Sequence, residues 1–237
     1  DATQKAKDLV AIAVARVRNL SPIDDFELPV NKKGLVLGGG LAGMEAALSL
    51  AGQGFEVYLI EKEKELGGNL RNLHYTLEEM EVQPFLSKLI SEIEKEQKIT
   101  VFKGYELKSF AGFVGNFRST LSKSDSPDEA PIQLEHGIII VATGGKLLEP
   151  TEYRYSESKK IVTQQELESM IATNTLPKNV KQVAMILCVG ARNKERVYCG
   201  RTCCGEILKN ALKLKEARED VDISIFYRDV RTYGFRE

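Results

Sequence analysis

The chain has 237 residues, enough for one or two domains, and its 43% apolar and 28% charged residues are ordinary for a globular protein. Its 33 basic and 34 acidic residues nearly cancel, so charge gives no reason to expect nucleic acid as a partner. No apolar run approaches the roughly 20 residues that a membrane helix needs, so we expect no direct membrane insertion.

A helix is predicted over residues 2–20, because apolar positions fall roughly on one face. We expect it to pack outside the following domain, with residues 1–30 as a helical extension and linker. Residues 33–61 then have the pattern strand, glycine turn, helix and strand. This pattern predicts the start of a Rossmann-like parallel sheet, with strands at 33–37 and 55–60 around a helix at 41–51.

The next predicted elements lead from a parallel sheet into an antiparallel meander. They are a polar loop at 62–80, a helix at 83–97, a strand at 99–102, and strand-like runs at 105–110, 114–121 and 132–141. The end of the last run, residues 137–142, is almost wholly apolar, so we expect a central strand there.

The last third of the chain predicts a second, partial Rossmann-like unit. Thr163 and Glu166 form a capping box that opens a short helix. A strand at 180–187, a helix at 203–217 and a strand at 222–227 follow. We therefore expect a first Rossmann-like domain with a meander at 31–150, a connector at 151–178 and the second unit at 179–237.

The first glycine loop, G-x-G-x-x-G, directly follows a predicted strand and opens a predicted helix. Gly38 permits the tight turn, Gly40 lets a pyrophosphate approach the backbone, and Gly43 lets the helix pack closely on the strand. The pyrophosphate would meet the free N–H groups of the helix start. Glu61 ends the second strand, where a carboxylate can accept both ribose hydroxyls; we include Lys62 in the cofactor-binding set.

Two further segments favour FAD over NAD as the dinucleotide. Gly67-Gly68 resembles the second glycine pair of glutathione-reductase-like flavoproteins, and Ala142-Thr143-Gly144 resembles their return motif beside FAD. The fold class is therefore α/β, with a Rossmann-like FAD-binding half-domain of the glutathione/thioredoxin reductase type. A plain loop is the alternative for the glycine pair.

All four cysteines, Cys188, Cys199, Cys203 and Cys204, lie where the second unit would carry its glycine loop. This clustering argues against a secreted disulfide scaffold and for a reducing, cytoplasmic compartment. Four thiolates at a helix start, near several arginines, favour a 4Fe–4S cluster. Zinc, a redox dithiol and free structural thiols remain alternatives, since the spacing is typical of neither ferredoxins nor zinc sites.

The chain resembles the A-type subunit of heterodisulfide reductase, a flavo-iron–sulfur protein, in several segments. These are the region from Gly38 to Gly68, and residues 112–117 (GFVGNF), 188–192 (CVGAR), 198–199 (YC), 203–204 (CC), 209–211 (KNA), 227–229 (YRD) and 231–234 (RTYG). The resemblance implies FAD on the glycine loop, a 4Fe–4S cluster on the four cysteines, and electron transfer to other subunits of a heterodisulfide-reductase-like complex.

Many members of that family carry a cysteine-rich insertion after the glycine pair, whereas this chain has no cysteine between Gly68 and Gln83. We expect a fragment of a longer subunit that binds FAD incompletely. Two other functions stay open: a FAD/NAD(P)-dependent disulfide oxidoreductase with a cysteine dithiol, and a zinc-stabilised docking module without catalysis. Nicotinamide binding should be weak, because the second unit lacks the glycines. His74 and His136 are interpreted as structural or surface residues.

Overall fold

The computed structural model describes residues 1–22, 25, 27–126 and 129–233, so Gly234 of the RTYG segment lies outside the described residues. The chain forms two compact units, Asp1–Val30 and Asn31–Glu237. The first unit holds α1 (Ala2–Arg18), whose first turn is capped by the Asp1 side chain. The predicted apolar face is present, but Leu9, Ile12 and every other residue of α1 are exposed.

The second unit alternates helices with strands, as predicted for its two Rossmann-like parts. Its described elements are β1 (Gly34–Leu37), α2 (Leu41–Gly52), β2 (Val57–Glu61), α3 (Val82–Lys95), β3 (Ile99–Lys103), β4 (Tyr105–Phe113), β5 (Asn116–Lys123), β6 (Ile132–His136), β7 (Ile138–Val141), α4 (Gln164–Ala172), β8 (Gln182–Ile186), α5 (Cys203–Ala217) and β9 (Asp222–Phe226). A short 3-10 helix, Gly68–Asn72, interrupts the predicted polar loop.

Four strands form a parallel sheet in the order β3-β2-β1-β7. Alternate residues of β1 enter different cores, as the period of a strand requires. Val36 packs with Met44 of α2 and Leu89 of α3, whereas Leu35 packs with Leu121 of the antiparallel sheet. The parallel sheet therefore lies between a helical layer and the β4-β5-β6 meander.

The apolar run at 132–141 is two strands instead of one. β6 pairs antiparallel with β5, and β7 pairs parallel with β1. The chain changes sheet at Gly137, where a Cβ atom would lie 2.1 Å from the Asn31 carbonyl oxygen. An apolar run indicates burial but carries no information about which sheet each half joins, so the sequence could not predict this break.

The prediction that residues 137–142 form a central strand is wrong for the described chain. β7 is an edge strand of the sheet, and Val141 is 70% exposed. The mainly apolar residues of β7 resemble those of a strand buried on both faces. Within the described residues, however, β7 has a strand neighbour on one side only.

The second Rossmann-like part is small but has its own core. β8 and β9 are parallel neighbours, α5 lies between them in the chain, and α4 packs against α5. Leu167, Met185, Ile207 and Leu214 are buried together between these elements. Thr163 and Glu166 form the predicted capping box at the start of α4. The predicted α/β fold with a FAD-type half-domain and a partial second unit is confirmed.

Candidate cofactor and cysteine sites

The loop after β1 and the first turn of α2 each have a position that only glycine can occupy without rearrangement. Gly38 has a φ of +106°, and a Cβ atom there would lie 2.3 Å from the Ala142 carbonyl oxygen. A Cβ atom at Gly43 would lie 1.8 Å from the Gly38 carbonyl oxygen. Both distances are far below van der Waals contact, so the absent side chains let α2 pack directly on the loop.

Gly40 differs from its neighbours, because a Cβ atom there would meet nothing within 4 Å. Gly40 is the N-cap residue of α2 and makes no side-chain capping hydrogen bond. The first N–H groups of a helix have no intrahelical acceptor, and the helix dipole adds positive potential at this end. Open space next to free N–H groups is what a pyrophosphate requires.

Three segments that are far apart in sequence meet at this loop. The N–H of Gly67 donates to the Gly39 carbonyl at 2.8 Å. A Cβ atom at Gly68 would lie 3.2 Å from the Gly40 Cα. The Asn69 amide donates to the Gly145 carbonyl at 3.0 Å. The structure thus brings the glycine loop, the Gly67-Gly68 pair and the region of Ala142, Thr143 and Gly144 together.

Glu61 is buried at the end of β2, and the backbone fixes both of its carboxylate oxygens. Oε2 accepts from the Gly39 N–H at 2.7 Å, and Oε1 accepts from the Glu63 N–H at 2.8 Å. Each carboxylate oxygen can accept a second hydrogen bond, which leaves capacity for ribose hydroxyls. Lys62 is exposed and lies 4.0 Å from the Glu63 carboxylate.

All four cysteines line one small concavity at the start of α5, together with Arg192, Arg201, Asp229 and Arg231. They are free thiols. Burial, assisted by the three neighbouring cysteines, raises the pKa of the Cys203 thiol. Desolvation therefore outweighs the backbone hydrogen bond that lowers the pKa of this thiol, whereas a coordinated metal ion would deprotonate it outright.

Hydrogen-bond donors lie next to three of the four sulfur atoms. The Arg192 guanidinium donates to Cys188 Sγ at 3.8 Å. The backbone N–H groups of Arg201 and Arg231 donate to Cys199 Sγ and Cys204 Sγ at 3.4 and 3.3 Å. Such donors stabilise negative charge on thiolate sulfur.

Asp229, just after β9, holds two of these arginines. Its carboxylate pairs with the Arg192 guanidinium and accepts from Arg231 Nε at 2.7 Å. These two hydrogen bonds lower the pKa of Asp229. The side chain of Arg228, which precedes Asp229 in the chain, donates to the Arg192 carbonyl at 2.6 Å.

The backbone of the cysteine loop is strained at three residues other than glycine. Cys188, Arg192 and Arg201 have φ angles of +62°, +55° and +64°. Left-handed conformations at such residues cost energy and persist only where the surrounding structure imposes them. They concentrate here around the four thiols.

The donor set of this site has the chemistry of a 4Fe–4S site: four thiols, N–H donors at sulfur and nearby guanidinium charge. Among the described residues, no three cysteine, histidine or carboxylate side chains are placed to bind a single metal ion. In a cubane cluster each thiolate binds a different iron, so its ligands need not converge on one point. The residues therefore fit a cluster by composition and surroundings.

The segment that follows Ala142, Thr143 and Gly144 contacts the cysteine loop. A Cβ atom at Gly190 would lie 2.1 Å from Leu148 Cδ2, so the chain packs there closely just after Ala142, Thr143 and Gly144. Gly190 has a φ of +69° and lies two residues after Cys188. The two candidate sites belong to the same compact unit.

Sequence patterns do not predict a buried ion pair behind the cysteine site. Lys209 of α5 lies 2.6 Å from Glu168 of α4, and Glu168 is completely buried. Glu168 also accepts from the backbone N–H of His74 at 2.6 Å. Glu206 Oε1 lies 3.7 Å from Lys209 Nζ and has no hydrogen-bond partner among the described residues. Burial, followed by the Glu168 charge, raises the pKa of Glu206, although Lys209 opposes the shift.

Comparisons with known proteins agree with this architecture. Curated relatives include the A-type subunit of the heterodisulfide,ferredoxin reductase of Methanothermobacter marburgensis, 29% identical over 98% of this chain and 49% of that protein. An iron-sulfur subunit of the same type, from the heterodisulfide reductase of Methanopyrus kandleri, is also 29% identical, with the same coverage of both chains. The chain spans about half the length of the curated relatives it matches. The predicted resemblance to the A-type subunit is confirmed.

Among solved structures, the L-proline dehydrogenase of P. horikoshii aligns with a TM-score of 0.47 and 15% identity, over 86% of this chain and 37% of that one. In the described parts of the chain, no helix has the length and apolarity to cross a bilayer. A model of the pyridine nucleotide-disulphide oxidoreductase family matches residues 32–198, well over half of the chain. The chain therefore belongs to the pyridine nucleotide-disulphide oxidoreductase family.

Proposed function

We propose that the chain is the flavin- and iron–sulfur-bearing electron-transfer part of a heterodisulfide-reductase-like complex. It would pass electrons between FAD, a 4Fe–4S cluster and partner subunits. The observation that carries the proposal is that all four cysteines line one concavity. The family alone does not specify this function, because its model matches only up to Tyr198 and leaves out three of the four cysteines.

The glycine loop would bind FAD through its pyrophosphate. Gly40 leaves the space, and the start of α2 supplies N–H donors. Glu61 would accept the ribose hydroxyls with the acceptor capacity that its backbone bonds leave free. The remaining FAD-binding residues would be Gly38, Gly43, Lys62, Gly67, Gly68, Ala142, Thr143 and Gly144. FAD, when bound, supplies both one- and two-electron transfer.

Cys188, Cys199, Cys203 and Cys204 would hold the cluster, which supplies one-electron transfer. The N–H groups of Arg201 and Arg231 would stabilise the ligating sulfurs. The buried side of the concavity, where Cys204 is only 6% exposed, would exclude water from them. One electron-transfer unit is supported because both sites belong to the same compact unit, in which Leu148 packs on Gly190.

The partners and the compartment follow from the same proposal. The relatives are named as subunits of heterodisulfide reductases, so the partners of this chain would be other subunits of such a complex. Free thiols that are to bind iron require a reducing compartment, and we place the chain in the cytoplasm. Neither nucleic acid nor membrane insertion has a role in this proposal.

Metal and flavin analysis of anaerobically purified protein tests the cluster. We expect about four irons and matching acid-labile sulfide per chain, with the broad visible absorption of a cubane cluster. Cys199→Ser should lower the iron content, because a ligand is lost. Stoichiometric zinc without iron would instead support a zinc-stabilised docking module. A pair of thiols that oxidises reversibly without iron would support a dithiol oxidoreductase.

The flavin assignment is tested separately at Gly40. Gly40→Leu should abolish flavin retention, because a side chain would occupy the place of the pyrophosphate. The matched control is Gly52→Leu at the other end of α2, where an added Cβ atom also meets nothing within 4 Å. Flavin content is measured by absorbance after desalting. Unchanged flavin in Gly40→Leu would exclude this loop as the cofactor site.

A further inference from the structure

We propose that Arg192 and Asp229 are positioning residues that set the reduction potential of the cluster on the four cysteines. Arg192 would bring a positive charge and an N–H donor to Cys188. Asp229 would hold Arg192 in place, and its negative charge would reduce the effect of the Arg192 charge on the potential. The inference rests on the proposed cluster and extends it to residues that neither ligate iron nor bind FAD.

Arg192 is held firmly beside the sulfur. Its Nη1 lies 3.8 Å from Cys188 Sγ and also donates to the Asp229 carboxylate. The Arg192 side chain is only 21% exposed. The Arg228 guanidinium donates to the backbone carbonyl of Arg192 at 2.6 Å, so both ends of the residue are fixed.

Asp229 connects the donors at two different sulfurs. One of its oxygens pairs with Arg192, the donor to Cys188 Sγ. The other accepts from Arg231 Nε at 2.7 Å, and the N–H of Arg231 donates to Cys204 Sγ at 3.3 Å. One carboxylate therefore positions hydrogen-bond donors at two members of the cysteine set.

The fold brings this group together from distant parts of the chain. Arg192 follows β8 and Asp229 follows β9, and these strands are parallel neighbours. The carboxyl ends of parallel strands lie at the same edge of a sheet, where the cysteine loop also starts. Arg192 adopts its position with a φ of +55°, which indicates that the surrounding fold imposes it.

The sign of each effect follows from electrostatics. Reduction adds one negative charge to the cluster, so a nearby guanidinium stabilises the reduced form and raises the potential. A nearby carboxylate has the opposite effect. Loss of Arg192 should therefore lower the potential, and loss of the Asp229 charge should raise it.

A redox titration of the anaerobically purified, cluster-containing protein, monitored by electron paramagnetic resonance, tests this. Arg192→Gln should disfavour reduction about tenfold, equal to a negative shift of roughly 59 mV for one electron. Arg192→Lys should shift less, because it retains the charge. Asp229→Asn should shift in the positive direction, since the negative charge is lost while the single amide oxygen can still accept from one of the two arginines.

Matched controls come from an Arg–Asp pair beyond the other end of α5. Arg218 Nε donates to Asp220 at 2.7 Å, and among the described parts of the chain neither residue lines the cysteine concavity. Arg218→Gln and Asp220→Asn should leave the potential unchanged. Iron content is measured for every variant, so that loss of the cluster is not mistaken for a shift in its reduction potential.

The outcomes separate this inference from the function it rests on. Opposite shifts for Arg192→Gln and Asp229→Asn, at unchanged iron content, would support it. An intact cluster with no shift, or with shifts of the same sign, would overturn the inference and leave the proposed function standing. Wild-type protein without iron would overturn the proposed function itself. If Arg192→Gln does not fold, Arg192→Lys and Asp229→Asn still give the two signs.

Discussion

His136, the last residue of β6, is completely buried, and its hydrogen bonds indicate which ring nitrogen carries the proton. Nδ1 lies 3.0 Å from the Ile138 carbonyl oxygen, and Nε2 lies 2.8 Å from the Ser119 hydroxyl. A carbonyl can only accept, so Nδ1 carries the proton and Nε2 accepts from Ser119. The ring also stacks on Phe117. A neutral imidazole with a structural role follows.

This environment predicts a pH-dependent stability. Burial lowers the pKa of His136 from its usual 6.5, so the unfolded chain binds the proton more readily than the folded one. Stability is therefore fully present above pH 6.5 and declines as the pH falls towards the lowered pKa, by at most about 1.4 kcal/mol per pH unit. His136→Gln should reduce this slope in urea unfolding, whereas His74→Gln, which leaves His136 in place, should retain it. Equal slopes in wild type and His136→Gln would contradict the assignment.

The close packing at Gly43 predicts that a substitution there lowers the stability of the fold. Alanine in a helix interior is normally favoured over glycine by about 1 kcal/mol. At Gly43 the new Cβ atom would lie 1.8 Å from a backbone carbonyl oxygen, and the backbone cannot yield as a side chain can. Gly43→Ala should destabilise the fold by about 3 kcal/mol or more in urea unfolding, since overpacking outweighs propensity. Gly52→Ala is the control and should be neutral or stabilising, because an added Cβ atom there meets nothing within 4 Å. A Gly43→Ala variant as stable as the wild type would contradict the prediction and show that α2 can move away from the Gly38 carbonyl.

At the scale of elements, α5 combines two features that the sequence shows only in part. Its first two residues are candidate cluster ligands, and its second turn holds Lys209 in a buried ion pair with α4. Lys209 also donates to the Tyr75 carbonyl at 3.2 Å, and Asn210 accepts from the Tyr75 hydroxyl at 3.1 Å. The helix that starts with the cysteines is thereby fixed to a segment of the flavin-type half-domain.

Removing one member of this pair should be costly. Lys209→Met leaves the Glu168 charge buried without a cation, which typically costs about 3–5 kcal/mol. Glu168→Gln/Lys209→Met should be destabilised by less than the two single variants added together, because no isolated charge remains. The matched control is Lys181→Met, which breaks the exposed pair with Asp220 and should cost less than about 1 kcal/mol. Strictly additive losses in urea unfolding would mean that the pair is not coupled.

At the scale of the whole molecule, the sequence predicts where helices and strands form better than it predicts which strands lie next to each other. β1, α2 and β2 form as predicted, because one glycine loop and two short apolar runs define all three. The exchange of sheets at Gly137 and the edge position of β7 depend on contacts between distant segments, which no local pattern encodes.

The candidate sites, too, were only partly predictable from the sequence. Glycine and cysteine spacing indicates the residues that would hold cofactors, since those residue types are chemically distinctive. The pairing of Arg192 with Asp229 and of Glu168 with Lys209 joins residues 37 and 41 positions apart. Charged residues are common in the chain, so their partners become identifiable only once the fold brings strand ends and helices together.

The two Rossmann-like parts differ in a way that predicts how the whole chain discriminates between dinucleotides. The first has open space at Gly40 beside the start of α2. In the second, Cys203 and Cys204 occupy the start of α5, and the Arg192–Asp229 pair lies beside them. A pyrophosphate cannot approach the backbone where side chains fill the corresponding place.

We therefore expect negligible nicotinamide binding, although the family is named for pyridine nucleotides. Calorimetric titration with NADH and with NADPH should show no saturation up to about 1 mM, which corresponds to binding weaker than about −4 kcal/mol. Gly40→Leu serves as the comparison, because it should remove flavin and leave the nicotinamide titration unchanged. A saturable isotherm in the micromolar range for either nucleotide would mean that the second unit retains a nucleotide site beside its cysteines. It would then favour direct reduction of this chain by a nicotinamide over electron supply through partner subunits.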